Sequence, residues 1–286
     1  MVAVIEPLVL VPAVVAAALY LRGWTTLSRR MPERFGRRQA IVFLVGLGTV
    51  LLASSALLDS SGHRLLWAHM IQHLLLMVVA PPLLWMGAPV APVLLGLPRS
   101  VRGAVARGLA WRRIRRLSAW LTHPAASWIA FVIAFWGWHV PALYELALES
   151  DFWHHVEHAC FLGAALLFWR PVILPWPARS PWPRWAMIPY LVLADFQNSV
   201  LAAIFTFGDR VIYAAYSTIP RGAGEGSALE DQALAGVIMW VPGSILFFVP
   251  VLWLVVTTLM PPRRSDPRVL GAPVKRPGGM TTRADA

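Results

Sequence analysis

Two histidine pairs dominate the chemistry available to this chain. His69 and His73 stand four residues apart inside an apolar stretch, and His154 and His158 repeat that spacing further along. On a helix of about 3.6 residues per turn, such a pair projects from one face with roughly 40° between its members. Met77 continues the arc of the first pair by about another 40°, and Met70 lies at its far edge. His139 falls in a third apolar stretch, within Trp136-Gly137-Trp138-His139-Val140-Pro141. Neutral imidazole binds Zn, Cu and Fe, whereas thioether favours Cu(I). Two helices presenting His-x-x-x-His, with His139 and the thioethers of Met70 and Met77 nearby, are therefore expected to surround one ion, copper ahead of zinc. Glu157 is placed to orient a ligating imidazole through its other ring nitrogen. Bis-histidine haem ligation between the same two pairs fits the spacing as well.

A second polar feature sits deeper. Asp195, Asn198, Ser199 and Thr206 share one side of an apolar helix that carries no basic residue at that depth. Asp195 must then be protonated, hydrogen-bonded or facing water, and a copper or proton transporter using it as a relay is a competing reading. Asp231-Gln232, ahead of the last apolar stretch, are expected to cap that helix or reach the histidines. Tyr213 and Tyr216 are expected at the membrane interface. No Ser-His-Asp pattern and no phosphate loop is present, and His69-Met-Ile-Gln-His73 has no Glu immediately after its first His, so it is not the zinc-protease motif. The chain does not read as an enzyme.

The elements that must position these groups are membrane helices. The 286 residues are 58% hydrophobic and 14% charged, with mean hydropathy +0.61, against roughly 25% charged in a soluble domain. Net charge is +11, but the arginines lie in short blocks between apolar stretches, which argues for topology rather than nucleic acid. The single cysteine, Cys160, allows no disulfide and no Cys-x-x-Cys site. Seven stretches approach the ~20 residues that cross a bilayer as helix: 8–21, 40–58, 65–85, 127–146, 155–174, 185–207 and 234–259. Pro81-Pro82 predict a kink in the third, because they remove the amide protons that the carbonyls of Met77 and Val78 would accept. Of the 25 basic residues, only Arg64, Arg210 and Arg221 fall in the loops opposite the arginine blocks. Positive-inside then gives an amino terminus outside and a carboxyl terminus in the cytoplasm. All histidines but His123 lie at the outer end. The expected architecture is an all-α integral membrane protein: a seven-helix transmembrane bundle over 1–260, followed by a disordered basic cytoplasmic tail over 261–286. The Arg99–Arg116 stretch reads as a topology determinant, or as an amphipathic helix on the inner leaflet.

The motifs also carry a resemblance. His69-Met-Ile-Gln-His73-Leu-Leu-Leu-Met77, Ala80-Pro81-Pro82-Leu-Leu and Gly87-Ala-Pro89 are followed by His123-Pro124 and Trp138-His139-Val-Pro141-Ala-Leu-Tyr144. His154 with Glu157-His158, Asp231-Gln232-Ala-Leu-Ala-Gly236 and Met239-Trp-Val-Pro242-Gly243 complete the series. Over about 40–260 the chain resembles the multi-span CtaG family of cytochrome c oxidase assembly factors. The resemblance implies a multi-pass protein of the bacterial plasma membrane that matures the respiratory oxidase. Its partners would be oxidase subunits and membrane lipid, and its cargo copper bound at the extracytoplasmic face. The resemblance identifies neither the ligands nor the oligomeric state, and a scaffold for oxidase subunits remains an alternative role.

Overall fold

The computed structural model describes residues 6–222 and 226–260, and among these the chain is helical with no strand. The sequence expectation for 261–286 lies outside the described residues. In order the helices are α1 (Pro7–Arg30), α2 (Arg37–Ala53), α3 (Ala56–Gly62) and α4 (Leu66–Leu74). A π-helical turn (Leu75–Val79) joins α4 to α5 (Ala80–Met86), and the short α6 (Val90–Gly96) follows. Then come α7 (Arg99–Ala110), α8 (Arg112–Leu121), α9 (Pro124–Trp138), α10 (Pro141–Glu149) and α11 (Asp151–Ile173). The last three are α12 (Met187–Phe207), α13 (Ala214–Thr218) and α14 (Ala228–Leu259).

Five stretches among the described residues are helical and apolar over enough length to cross a membrane: α1, Leu66–Met86, α11, Arg184–Phe207 and α14. A sixth appears if α8 and α9, bent by 66° at their junction, act as one span. The seven uninterrupted spans of the sequence expectation are not all found, for reasons written in the backbone. The stretch 40–58 is split after Ala53, where Ser55 turns extended and its hydroxyl donates to the Leu52 carbonyl at 2.7 Å. That is the local competition by which serine interrupts helices. The stretch 127–146 is split at His139-Val140, because Pro141 lacks an amide proton and forces Val140 into the extended region at ψ 127°. Ile133, Phe196, Phe207 and Leu252 point outward at 64–73% exposure. Lipid is the natural solvent for such a surface, and the chain is a multi-pass membrane protein.

Small residues set the closest helix contacts. The Cα of Gly23 in α1 lies against the Pro92 carbonyl, and that of Gly96 at the end of α6 lies against the Leu19 carbonyl; a Cβ at either position would collide with backbone. The pairing of α12 with α14 uses Gly236 in the same way, against Ala202 and Thr206. The arginine-rich α7 and α8 contain no buried residue.

The third span carries the expected irregularity, in a form the prolines only partly announce. The π turn precedes Pro81-Pro82, and Ala80 N–H bonds back to the Leu75 carbonyl, five residues earlier. The Met77 carbonyl, which Pro81 cannot serve, accepts instead from the Trp169 indole of α11 at 2.9 Å. A buried carbonyl is thereby satisfied by a side chain from the neighbouring span.

Candidate metal centre

Three tethers fix the helix that carries His69 and His73. Its first amides, Leu66 and Trp67 N–H, donate to the Asp231 carboxylate of α14 at 3.0 and 3.1 Å. Asp231, expected either to cap its own helix or to reach the histidines, caps the helix that carries His69 and His73 from across the bundle. Ser227 caps α14, with Glu230 completing the capping box. Asp231 is buried and also accepts from Arg221 Nη2 at 3.1 Å. One turn further along α4, Gln72 Nε2 donates to the Ala53 carbonyl at the end of α2 at 2.8 Å. Above the histidines, Tyr144 stacks on Tyr213 at 3.8 Å and leans over His69 with ring centroids 5.0 Å apart. The Tyr216 hydroxyl donates to the Gly62 carbonyl at 2.6 Å and lies 3.0 Å from that of Tyr144, while Tyr213 donates to the His139 carbonyl at 3.0 Å. Tyr213 and Tyr216, expected at the membrane interface, are buried in this roof. Each hydroxyl finds a partner inside the protein, so the rings have no need to reach headgroups.

Beneath the roof, four side chains from two elements converge. One donor atom from each of His69, His73, Glu157 and His158 lies within 4.8 Å of the others. Glu157 Oε2 is 3.5 Å from His69 Nε2, and Oε1 is 3.4 Å from His73 Nε2. Glu157 is wholly buried. None of the facing atoms is properly hydrogen-bonded: His69 Nε2, both ring nitrogens of His73, His158 Nε2 and both Glu157 oxygens are buried without a partner. Buried polar atoms are nearly always paired, so such a concentration is unusual and makes these atoms available to an added ligand. Three imidazoles and a carboxylate suit a borderline cation such as Cu(II) or Zn(II), at bonds of about 2.0–2.2 Å after small side-chain movements.

The other expected ligands surround this group without entering it. His139 holds the Phe135 carbonyl through Nδ1 at 2.6 Å, and its unpartnered Nε2 belongs to a ring 5.6 Å from that of His73. His154 packs on His158 with ring centroids 4.2 Å apart and faces Asp59. Met70 and Met77 are core residues lining a cavity of about 20 Å³ that His73 and His139 also touch. Asn198 lines the same cavity and donates to the Met239 carbonyl at 3.1 Å. Asp195 is away from the cluster and accepts from Ser244 at 2.8 Å, the interhelical bond open to it in the sequence reading. Sequence reasoning passed over Asp59, although Asp59 and His63 show the same four-residue spacing as the histidine pairs.

Residues 18–260 match the model of the cytochrome c oxidase caa3 assembly factor family (Caa3_CtaG). The chain belongs to this family. Uncharacterized proteins of Mycobacterium bovis and Mycobacterium tuberculosis are each 26% identical over 261 residues, covering 90% of this chain and 38% of their own length. An uncharacterized protein of Mycobacterium leprae is 24% identical over 269 residues, covering 90% of this chain and 39% of its own. The chain thus spans about two fifths of the length of these curated relatives. No solved structure matches it significantly. The caa3 assembly factor match includes every residue of the histidine cluster and of the helices that hold it.

Proposed function

We propose that this caa3 assembly factor acts without catalysing a reaction, holding copper in the His69–His73–Glu157–His158 group and passing it to a cytochrome c oxidase subunit. The observation that supports the reading is the set of buried, mutually facing donor atoms that make no hydrogen bond. Copper is cargo here, so a site built by side chains from only two helices, with His139 and His154 alongside, suits ligand exchange better than a closed cage. Membership of an oxidase assembly factor family supports the oxidase as the destination, and the bacterial plasma membrane is the location that fits it. Positive-inside orientation puts the histidine end on the extracytoplasmic side.

Haem ligation has less support. The cavity touching His73 and His139 is only about 20 Å³. The larger one, about 490 Å³, is lined by His154, His155 and His158, all from α11, so no imidazole faces another across it. In the test, purified full-length protein is titrated with Cu(II), and the loaded sample is examined by X-ray absorption. Bound copper is expected with a nitrogen and oxygen shell near 2.0 Å. Replacing His69 and His73 by Ala should lower its affinity by more than ~100-fold, beyond the ~10–100-fold that loss of a mere supporting partner costs. Undiminished copper in that variant would sink the proposal, and a sulfur scatterer in the wild type would bring Met70 or Met77 into the ligand set.

A further inference from the structure

A second donor group borders the first and is open to solvent. Asp59, in α3, and His63, its C-cap, stand four residues apart, with Asp59 Oδ2 3.9 Å from His63 Nε2. The other carboxylate oxygen of Asp59 is 3.2 Å from His154 Nδ1. One donor atom from each of the three lies within 4.8 Å of the others. Access separates this group from the inner one: the Asp59 and His63 side chains are 38% and 36% exposed, whereas Glu157 is fully buried. The cavity of about 490 Å³ between α1, α2 and α11 also reaches Asp59, His154 and His158.

His154 connects the two groups. Its ring centroid lies 5.7 Å from that of His63, 5.3 Å from that of His69 and 4.2 Å from that of His158. Asp59 engages Nδ1, while Nε2 is buried without a partner. An imidazole with one nitrogen on an exposed carboxylate and the other unpaired toward a donor cluster can serve ligand sets on both sides.

We infer that Asp59, His63 and His154 form a second, outer metal site through which the ion reaches and leaves the inner group. The inference rests on the copper reading of that inner group. Transfer is ligand exchange at constant oxidation state: metal bonds to Asp59 and His63 break as bonds to His69 and His158 form, with His154, a member of the outer set packed beside the inner one, released last. The mixed carboxylate and imidazole set suits the same borderline cations as the inner group, and its exposure suits rapid loading.

The test uses full-length protein in lipid nanodiscs, titrated with Cu(II) and followed by electron paramagnetic resonance and by the time course of loading. Wild type should take up two equivalents with distinct spectra. Asp59→Asn with His63→Gln should take up one, with the inner spectrum retained and loading slowed at least ~10-fold, the low end of what even loss of a supporting partner costs a metal site. His69→Gln with His73→Gln should keep only the outer spectrum. Two equivalents and unchanged loading in the Asp59/His63 variant would overturn the outer site and leave the inner reading intact. A single wild-type equivalent abolished by the His69/His73 change would do the same. No copper in wild type would overturn both readings. If the double outer variant does not fold, His63→Gln alone, at a partly exposed position, replaces it, and the same loss of the outer spectrum is required.

Discussion

Glu157 is the residue on which stability and function oppose each other. An ionised carboxylate removed from water costs several kcal/mol unless it is well paired, and its two oxygens face imidazole nitrogens at 3.4 and 3.5 Å without hydrogen-bonding geometry. Metal-free Glu157→Gln protein should therefore unfold at a higher temperature than wild type. With saturating Cu(II) that advantage should shrink by about 1.4 kcal/mol, because a ~10-fold loss of affinity removes that much ligand-linked stabilisation. Thermal unfolding with and without Cu(II) reads the change, and a purely structural Glu157 would give the same difference between variant and wild type in both. The sequence made His69, His73 and His158 legible because helical spacing reports directly which residues share a face. It left Glu157 in a supporting role, since a single carboxylate has no spacing of its own to reveal what it faces. It kept Asp59 unread among the outer acids although the four-residue spacing to His63 was there.

At the scale of elements, the chain positions its chemistry by capping one helix from another. Asp231 binds the first two amides of α4 and the Arg221 guanidinium, and it is buried. Removing a cap costs about 0.5–2 kcal/mol, and a buried hydrogen bond to a charged group about 1.5–3 kcal/mol. Asp231→Ala should accordingly lower unfolding stability by roughly 2–4 kcal/mol on those scales, and Asp231→Asn, which keeps one acceptor, by less. Both are measured by denaturant titration in detergent. Copper affinity should fall along with the cap, because His69 sits one turn from the tethered amides. The motif search placed Asp231 near the histidines, but no local rule shows that a residue late in the chain caps a helix 165 positions earlier. The breaks at Ser55 and Pro141 were visible as residue types, yet hydropathy averaged over a window runs straight through them. The kink near Pro81 was legible, while its relief by Trp169 depended on a neighbour that only the fold supplies.

At the scale of the whole molecule, the proposed topology puts the arginine blocks and the histidine cluster at opposite membrane faces. The exposed helices hold Arg99, Arg102 and Arg107 in α7 and Arg112, Arg113, Arg115 and Arg116 in α8. Orientation can be measured in cells by removing the only cysteine with Cys160→Ser and adding either Ser60→Cys or Ser118→Cys, both at exposed positions. A membrane-impermeant maleimide should label position 60 in intact cells and position 118 only after permeabilisation. The opposite pattern would invert the topology and place the cluster on the cytoplasmic side. The expectation of a one-sided histidine distribution rests on loop composition, whereas the number of unbroken spans depends on individual backbone bonds.

The π turn between Leu74 and Ala80 has a consequence for phase. One additional residue in a helical repeat advances the face by about 100°. Above the turn the span packs on α3 and α14, and below it on α2 and α11. In an unbroken helix Leu76, Ala80 and Leu84 would extend the stripe begun by His69 and His73; here those three join the apolar cluster around Tyr20 and Phe43. A chain one residue shorter in this turn would keep every histidine and every proline, yet its imidazoles would be turned toward a different neighbour. What aims the converging donor atoms is a count of residues, held in a segment that contributes none of them.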